Sequence, residues 1–246
     1  MSFIQAHGLA KRYGQGETAV WAVKDLYLRI EQGEFDAFMG ESGSGKSSLL
    51  SLMGGLNTPT HGSYHVDGID VYSLKPNERA DFRRQSLGIV FQSFHLIPYL
   101  TVLENVLLPL ATSHLRSAKK RTKAEETLER VGLRGKNRRL PSQISGGEQE
   151  RVAIARAIVN DPPILLADEP TGNLDSKTGR EIMNLFQDLN ASGVTIVMVT
   201  HNPEAAGYAR RTFRMTDGIL AEESETLAAV DKHCCELIGN PATAAG

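Results

Sequence analysis

Phe35-Asp36-Ala37-Phe38-Met39, followed directly by Gly40-Glu41-Ser42-Gly43-Ser44-Gly45-Lys46-Ser47-Ser48, is the stretch on which the reading of this chain turns. It is an apolar run that ends in G-x-x-x-x-G-K-S and continues into Leu49-Leu50-Ser51-Leu52-Met53. That is a phosphate loop in the context it requires, a strand end feeding a helix. Glycines at 40, 43 and 45 let backbone N–H groups turn inward around a polyphosphate with no Cβ in the way. Lys46 places a cation on the β and γ phosphates, and the Ser47 hydroxyl offers an oxygen ligand to Mg²⁺. Glu41, Ser42, Ser44 and Ser48 complete the cradle, and the helix start adds its positive end to the same anion site. A flexible glycine linker does not end in Lys-Ser and an amphipathic helix, so the stretch implies a nucleoside triphosphate site.

Composition sets the outer bounds. With 246 residues the chain has room for one large α/β domain, or for a core with an inserted subdomain. A formal net charge of −2 gives no global basic footprint and argues against bulk nucleic-acid binding. The basic cluster Arg134–Arg139 (RGKNRR) is expected to be a solvated turn. No apolar run approaches the length of a transmembrane helix, and residues 1–13 are too polar for a secretory signal, so membrane association is expected through a partner. Cys234 and Cys235 are adjacent, make no disulfide framework and, with His233, supply too few spaced ligands for a metal site; a reducing cytosol fits.

Hydrophobic patterning gives the organisation. Phe3–Leu9, Val20–Ile30 and Gly62–Val71, the last with an Asp67-Gly68 turn, read as N-terminal strands. Ile164–Ala167 and Val194–Val199 read as buried strands, one ending in Asp168-Glu169 and the other in Thr200-His201. Three parallel strands delivering polar residues at their carboxyl ends match the rule for open α/β sheets. Asp36 interrupts one of them where an apolar residue is expected, and nothing in the sequence accounts for it. Helical spacing dominates from Gln92 to about Asn160, notably over Leu103–Leu110 and Ser117–Val131, with Gly132 at the end of the latter. The tail from about Glu223 is polar and is expected to fray.

Other motifs narrow the class of nucleotide protein. Asp168 is placed to hold Mg²⁺ through a water, and Glu169 to orient and polarise a water beside the γ-phosphate. In Ile144-Ser145-Gly146-Gly147-Glu148-Gln149, Ser145 caps a helix whose free N–H groups favour an anion, and the glycines allow close backbone approach. One phosphate cradle is already complete in the chain, so a second anion-reading helix end points to the nucleotide of a neighbouring subunit. Between a phosphate loop and a strand ending in Asp-Glu, this string resembles the signature motif of the ATP-binding cassette (ABC) ATPases.

The resemblance runs from about residue 3 to 222. It implies an α/β P-loop NTPase fold with a RecA-like core, an N-terminal antiparallel β-subdomain and a helical subdomain inserted at roughly residues 93–160. Residues 223–246 remain as a C-terminal tail. By the same resemblance Gln92 contacts Mg²⁺ and the water region, Tyr13 stacks on adenine, Asn173-Leu174-Asp175 crosses a dimer interface and His201 bonds the γ-phosphate. Glu169, His201 and Gln92 are then the catalytic set, with Mg²⁺ held by Ser47 and Gln92 and, one shell out, by Asp168. ATP is bound by Tyr13, residues 40–48 and, from the second subunit of a homodimer, Ser145, Gly146, Gly147 and Glu148. Ile144, Glu148 and Ser48 depart mildly from the commonest pattern, keeping the serine, the glycines and the hydroxyl.

Gly54-Gly55-Leu56, Pro59-Thr60-His61-Gly62, His95-Leu96-Ile97-Pro98, Leu103-Glu104-Asn105-Val106 and Asp168–Asp175 look like the lipoprotein-releasing and macrolide-exporting branch of that family. The branch, some members of which have the two parts fused, implies a transmembrane permease with a large extracytoplasmic domain, expected here to be separate, export or extraction of a substrate, and a peripheral place on the cytoplasmic face of the inner membrane. An adjacent membrane-fusion protein would indicate a tripartite pump. A non-transporting cell-division complex is the alternative within this class. A soluble ATPase acting on DNA or the ribosome is the competing class, disfavoured by the single cassette and the short insertion. The apolar loop His95–Leu100, which Pro98 keeps from being a regular helix, is expected to help form the permease docking surface.

Overall fold

Alternating buried side chains along residues 4–30 produce the first sheet. The computed structural model describes residues 2–225. In it β1 (Ile4–Tyr13) pairs antiparallel with β2 (Val20–Ile30), and the sheet is completed by β4 (His61–Val66) and β5 (Ile69–Asp70) in the order β2-β1-β4-β5. Asp25, at φ 40°, breaks the alternation of β2, so that Val23 and Leu26 both turn inward.

The second sheet is built on β3 (Phe35–Met39), from which the chain enters α1 (Lys46–Met53). It then passes through α2 (Pro76–Ser86), β6 (Leu87–Val90), α3 (Val102–Leu107), α4 (Ser117–Arg130) and α5 (Gly146–Ile158). It closes with β7 (Ile164–Asp168), α6 (Ser176–Ala191), β8 (Thr195–Thr200), α7 (Pro203–Ala206), β9 (Arg211–Thr216) and β10 (Ile219–Glu225). Strand order is β10-β9-β3-β8-β7-β6, with every neighbouring pair parallel except β9 and β10. Five strands therefore run in parallel, not the three that the sequence pattern picks out. β6 escapes a pattern search because it has four residues and contains Gly88. That glycine is required, since a Cβ there would lie 2.6 Å from the Ala157 carbonyl oxygen of α5.

The period-two pattern of the parallel strands divides the core. Leu165 and Ala167 of β7 face α3 to α6, whereas Ile164 and Leu166 face α1 and the first sheet. Burying a leucine or isoleucine contributes about 1.5–3 kcal/mol, so both faces must be covered for this sheet to persist. The expected helix over Leu103–Leu110 stops at Leu107. Pro109 sits in a following 3₁₀ turn, because proline lacks the N–H that would continue the helix. Residues 117–130 form the helix expected there. α5 packs on both α3 and β6, so its carboxyl half belongs to the sheet as much as to the helical part. β10 continues to Glu225, into the stretch read as tail; Cys234, Cys235 and His233 lie outside the described residues. Among the described residues no helix is long and apolar enough to cross a membrane.

Asp36 has a partner that sequence could not name. It is fully buried and accepts from the Arg211 guanidinium at 3.1 and 2.6 Å. Arg211 also donates to Glu34 at 2.9 Å and to the Arg29 carbonyl at 3.0 Å, tying β2, β3 and β9 together. Removing one member of a buried ion pair costs about 3–5 kcal/mol, because the other charge is left buried. Asp36→Ala is therefore expected to lose about that much stability in urea unfolding, and Asp36→Ala with Arg211→Met to recover most of it. A loss below about 1 kcal/mol for the single change would contradict a structural role for the pair.

Candidate active site

The candidate groups collect where four parallel strands end. β3 delivers the loop 40–47, β7 delivers Asp168 and Glu169, β8 delivers Thr200 and His201, and β6 delivers Gln92. β3 and β7 both flank β8 in register, Asp168 opposite Val199 and Met39 opposite Thr200, so the loops that follow must be neighbours.

The loop 40–47 is held as tightly by protein as by any need of a phosphate. Gly45 has φ 104°, and a Cβ on it would lie 2.0 Å from the Ala22 carbonyl oxygen of β2. One on Gly40 would lie 2.3 Å from the Met215 carbonyl oxygen of β9. Around Gly43, at φ 83°, the space is open. Glycine at 40 and 45 is thus demanded by packing, and at 43 by backbone conformation alone. Lys46 is buried and donates to the carbonyl oxygens of Gly40 and Glu41 at 2.7 and 2.8 Å, which places its cation inside the loop. Ser44 Oγ is buried there without a hydrogen-bond partner. A buried cation held on loop carbonyls marks a place that an anion's oxygen atoms would fill.

The carboxylates stand opposite this loop. Ser47 Oγ donates to Asp168 Oδ1 at 3.3 Å. Burial pushes the Asp168 carboxyl above its ordinary value, Ser47 pulls it down, Glu169 raises it and Lys46 lowers it. Glu169 has φ 49° and a nearly buried side chain. Its Oε1 lies 2.8 Å from His201 Nδ1, and its Oε2 accepts from Thr200 Oγ1 at 3.1 Å and from the His201 N–H at 3.2 Å. Thr200 was not singled out as a functional residue by the sequence; a threonine ending a β-branched strand carries no signal beyond propensity. Gln92 is exposed, and its carbonyl accepts from Asn173 Nδ2 at 2.7 Å.

Among the described residues, Tyr13 and residues 145–148 make no hydrogen bond to this cluster. Tyr13, in β1, is half exposed; Asn57 Nδ2 donates to its hydroxyl at 3.4 Å, and Lys11 Nζ stands 5.0 Å from its ring centroid. At the start of α5, Ser145 caps the helix as the sequence indicated. Its Oγ accepts from the Glu148 N–H at 3.3 Å, while Glu148 Oε2 accepts from the Ser145 N–H at 2.9 Å. The Glu148 carboxyl is held below its usual range by the Ser145 N–H and by Lys136, 3.1 Å away. Gly146 lies against Leu174, and a Cβ on Gly147 would lie 2.3 Å from Thr178 Cγ2. Asp175 caps α6, accepting from Lys177 and Thr178 N–H groups at 3.1 Å each. Residues 145–148 thus make their contacts with Lys136, Leu174 and Thr178 rather than with the loop 40–47, and Ser145 and Gly146 are exposed.

Comparison with known proteins establishes the family and the fold. The ABC transporter family model matches residues 23–172. The chain is 51% identical over 223 residues to the macrolide export ATP-binding/permease protein MacB of Rhodopirellula baltica, covering 89% of this chain and 33% of that protein. It is 48% identical over 219 residues to an uncharacterized ABC transporter ATP-binding protein of Methanocaldococcus jannaschii, covering 89% of this chain and 98% of that one. The chain therefore spans about a third of the length of its MacB relatives and nearly all of the other. Among solved structures, the dimeric bacterial ABC transporter cassette MJ0796 matches with a TM-score of 0.84 and 43% identity, over 91% of this chain and 98% of that one. A dimeric post-hydrolysis state of the same cassette, bound to ADP and Pi, matches with a TM-score of 0.84 and 42% identity. The chain belongs to the ABC transporter family, has the ABC ATPase fold and is an ATP-binding domain of that family.

Proposed function

We propose that this chain hydrolyses ATP as one half of a head-to-tail homodimer and drives a separate membrane permease that exports or extracts a substrate. The observation that carries the reading is the convergence of the loop 40–47, Asp168, Glu169, His201 and Gln92 at the carboxyl ends of β3, β7, β8 and β6. Two observations support the dimer. Ser145 and Gly146 stand exposed at a capped helix start away from their own phosphate loop, and the relatives include a cassette solved as a dimer.

In this reading the loop 40–47 and Lys46 bind the phosphates. Lys46 exchanges the carbonyl oxygens of Gly40 and Glu41 for phosphate oxygens. Adenine stacks on Tyr13. Ser145, Gly146 and Gly147 of the second subunit close the site from across the interface, with Glu148 holding Ser145 in its capping geometry. Glu169 orients and polarises a water for in-line attack on the γ-phosphorus; a P–O bond forms to the water and the bond to the β-phosphate oxygen breaks, giving ADP and phosphate. His201 reaches the γ-phosphate from the end of β8 while its Nδ1 remains on Glu169. The oxygen donors Ser47 and Asp168, 3.3 Å apart, fit Mg²⁺. Ser47 and Gln92 would hold the ion, with Asp168 behind them, and it would offset the negative charge of the phosphates.

Membrane coupling rests on the loop after Gln92. Tyr99 is 78% exposed, whereas Leu96 packs into the helical-side core and Ile97 is anchored through Asn105. An exposed tyrosine on an anchored loop suits contact with a permease at the cytoplasmic membrane face. The MacB relatives, which carry ATP-binding and permease parts in their name, support a permease partner; its large extracytoplasmic domain and an accompanying membrane-fusion protein are part of this proposal. A non-transporting complex of cell-division type would use the same ATPase cycle.

Glu169→Gln is expected to bind ATP normally, hydrolyse it at least about a hundredfold more slowly and persist as an ATP-dependent dimer on size exclusion. Wild-type turnover by this variant would remove Glu169 from the mechanism. Tyr99→Asp is expected to leave nucleotide binding and folding intact and to abolish co-purification with the membrane permease from solubilised membranes. Undiminished co-purification would place docking elsewhere on the surface.

A further inference from the structure

The loop that carries Gln92 is tied down on both sides by side chains to which the reaction above gives no work. Before the loop leaves the site, Asn173 Nδ2 donates to the Gln92 carbonyl at 2.7 Å. Beyond it, Arg156 of α5 donates to the carbonyl oxygens of Phe94 and His95. Phe94 and His95 both lie in the left-handed region, at φ 57° and 48°, a conformation that such side chains adopt only when their surroundings impose it.

Asn173 belongs to the turn leaving β7, in which the Gly172 N–H donates to the Glu169 carbonyl at 2.9 Å and the Leu174 N–H to the Thr171 carbonyl at 3.1 Å. Gly172 stands between the two candidate side chains. A Cβ there would lie 3.3 Å from Gln92 Nε2 and 3.5 Å from Glu169 Cβ. Gln92 and Glu169 are therefore separated by the width of one glycine, and the next residue of the turn grips the Gln92 backbone.

We propose that Asn173 is a positioning residue, locking the Gln92 backbone to the turn that bears Glu169 so that the two side chains meet the γ-phosphate as one body. Gln92 is exposed on a loop without regular structure, and its own side chain contributes nothing that would fix its backbone. Glu169 is fixed by Thr200 and His201 at the end of β8. The Asn173 bond transfers that fixity to Gln92, and Arg156 makes the following residues move with α5. The proposal rests on the reading of Gln92 and Glu169 given above.

The test uses Asn173→Asp, which keeps the shape and removes the donor, with Asn173→Ala as a second variant that adds no charge. Hydrogen exchange of the nucleotide-free protein reads the link directly: amides of residues 91–95 should exchange about fivefold faster in both variants. Steady-state kinetics should show kcat down about tenfold or more with KM for ATP unchanged. Introduced on top of Gln92→Ala, Asn173→Asp should cost nothing further in kcat. Unchanged exchange over 91–95, or a kcat loss that multiplies with that of Gln92→Ala, would overturn the proposal. If Gln92→Ala alone leaves kcat at the wild-type value, the role given to Gln92 is the part that failed, and the proposal falls with it.

Discussion

The Glu169 carboxylate depends on β8, and much of the architecture follows from that dependence. A carboxylate nearly removed from water is costly unless hydrogen bonds replace its hydration. Thr200 Oγ1 and both nitrogen contacts of His201 supply them, all from the end of a strand that is not its own. The arrangement holds only while β7 and β8 stay in parallel register, with Asp168 opposite Val199. That register needs apolar cover on both faces of the sheet, which α1 with the first sheet gives on one side and the helices give on the other. The chemistry therefore sits where the sheet's polar ends emerge, because neither buried face tolerates it.

The same economy governs the loop 40–47. It is wedged between Ala22 of β2 and Met215 of β9, so its shape is preset before any nucleotide arrives. Lys46, turned onto its own loop carbonyls, carries a buried cation, and a polyphosphate supplies what those carbonyls only approximate. Preorganisation of this kind lets binding energy go into contacts rather than into ordering the loop.

Sequence made the class of fold legible, and the polar residues that collect at the strand ends, but not the pairings inside the scaffold. The string 40–48, the acids after β7 and His201 are polar residues placed against an apolar background, and contrast of that sort survives in one dimension. Ser145 as a helix cap with Glu148 three residues on was legible for the same reason: a capping box is a local device. β6 was hidden by its four residues and its glycine, a glycine whose cause lies 69 positions away at Ala157. Asp36 was an anomaly until Arg211, distant in sequence, proved to face it. Asn173 and Arg156 carry no motif of their own, since each acts by reaching a backbone carbonyl whose position only the fold decides.

The central claim is that each site is completed by residues 145–147 of a second copy. Mixing two inactive variants tests it most directly. Lys46→Ala breaks the phosphate loop and leaves residues 145–147 intact, and Ser145→Arg does the reverse. In a mixed dimer the intact loop of one chain faces the intact helix start of the other, restoring one complete site. The account predicts that combining the two proteins brings back ATP hydrolysis well above the sum of their separate rates. Activity no greater than that sum, with mixed dimers shown to be present, would contradict it.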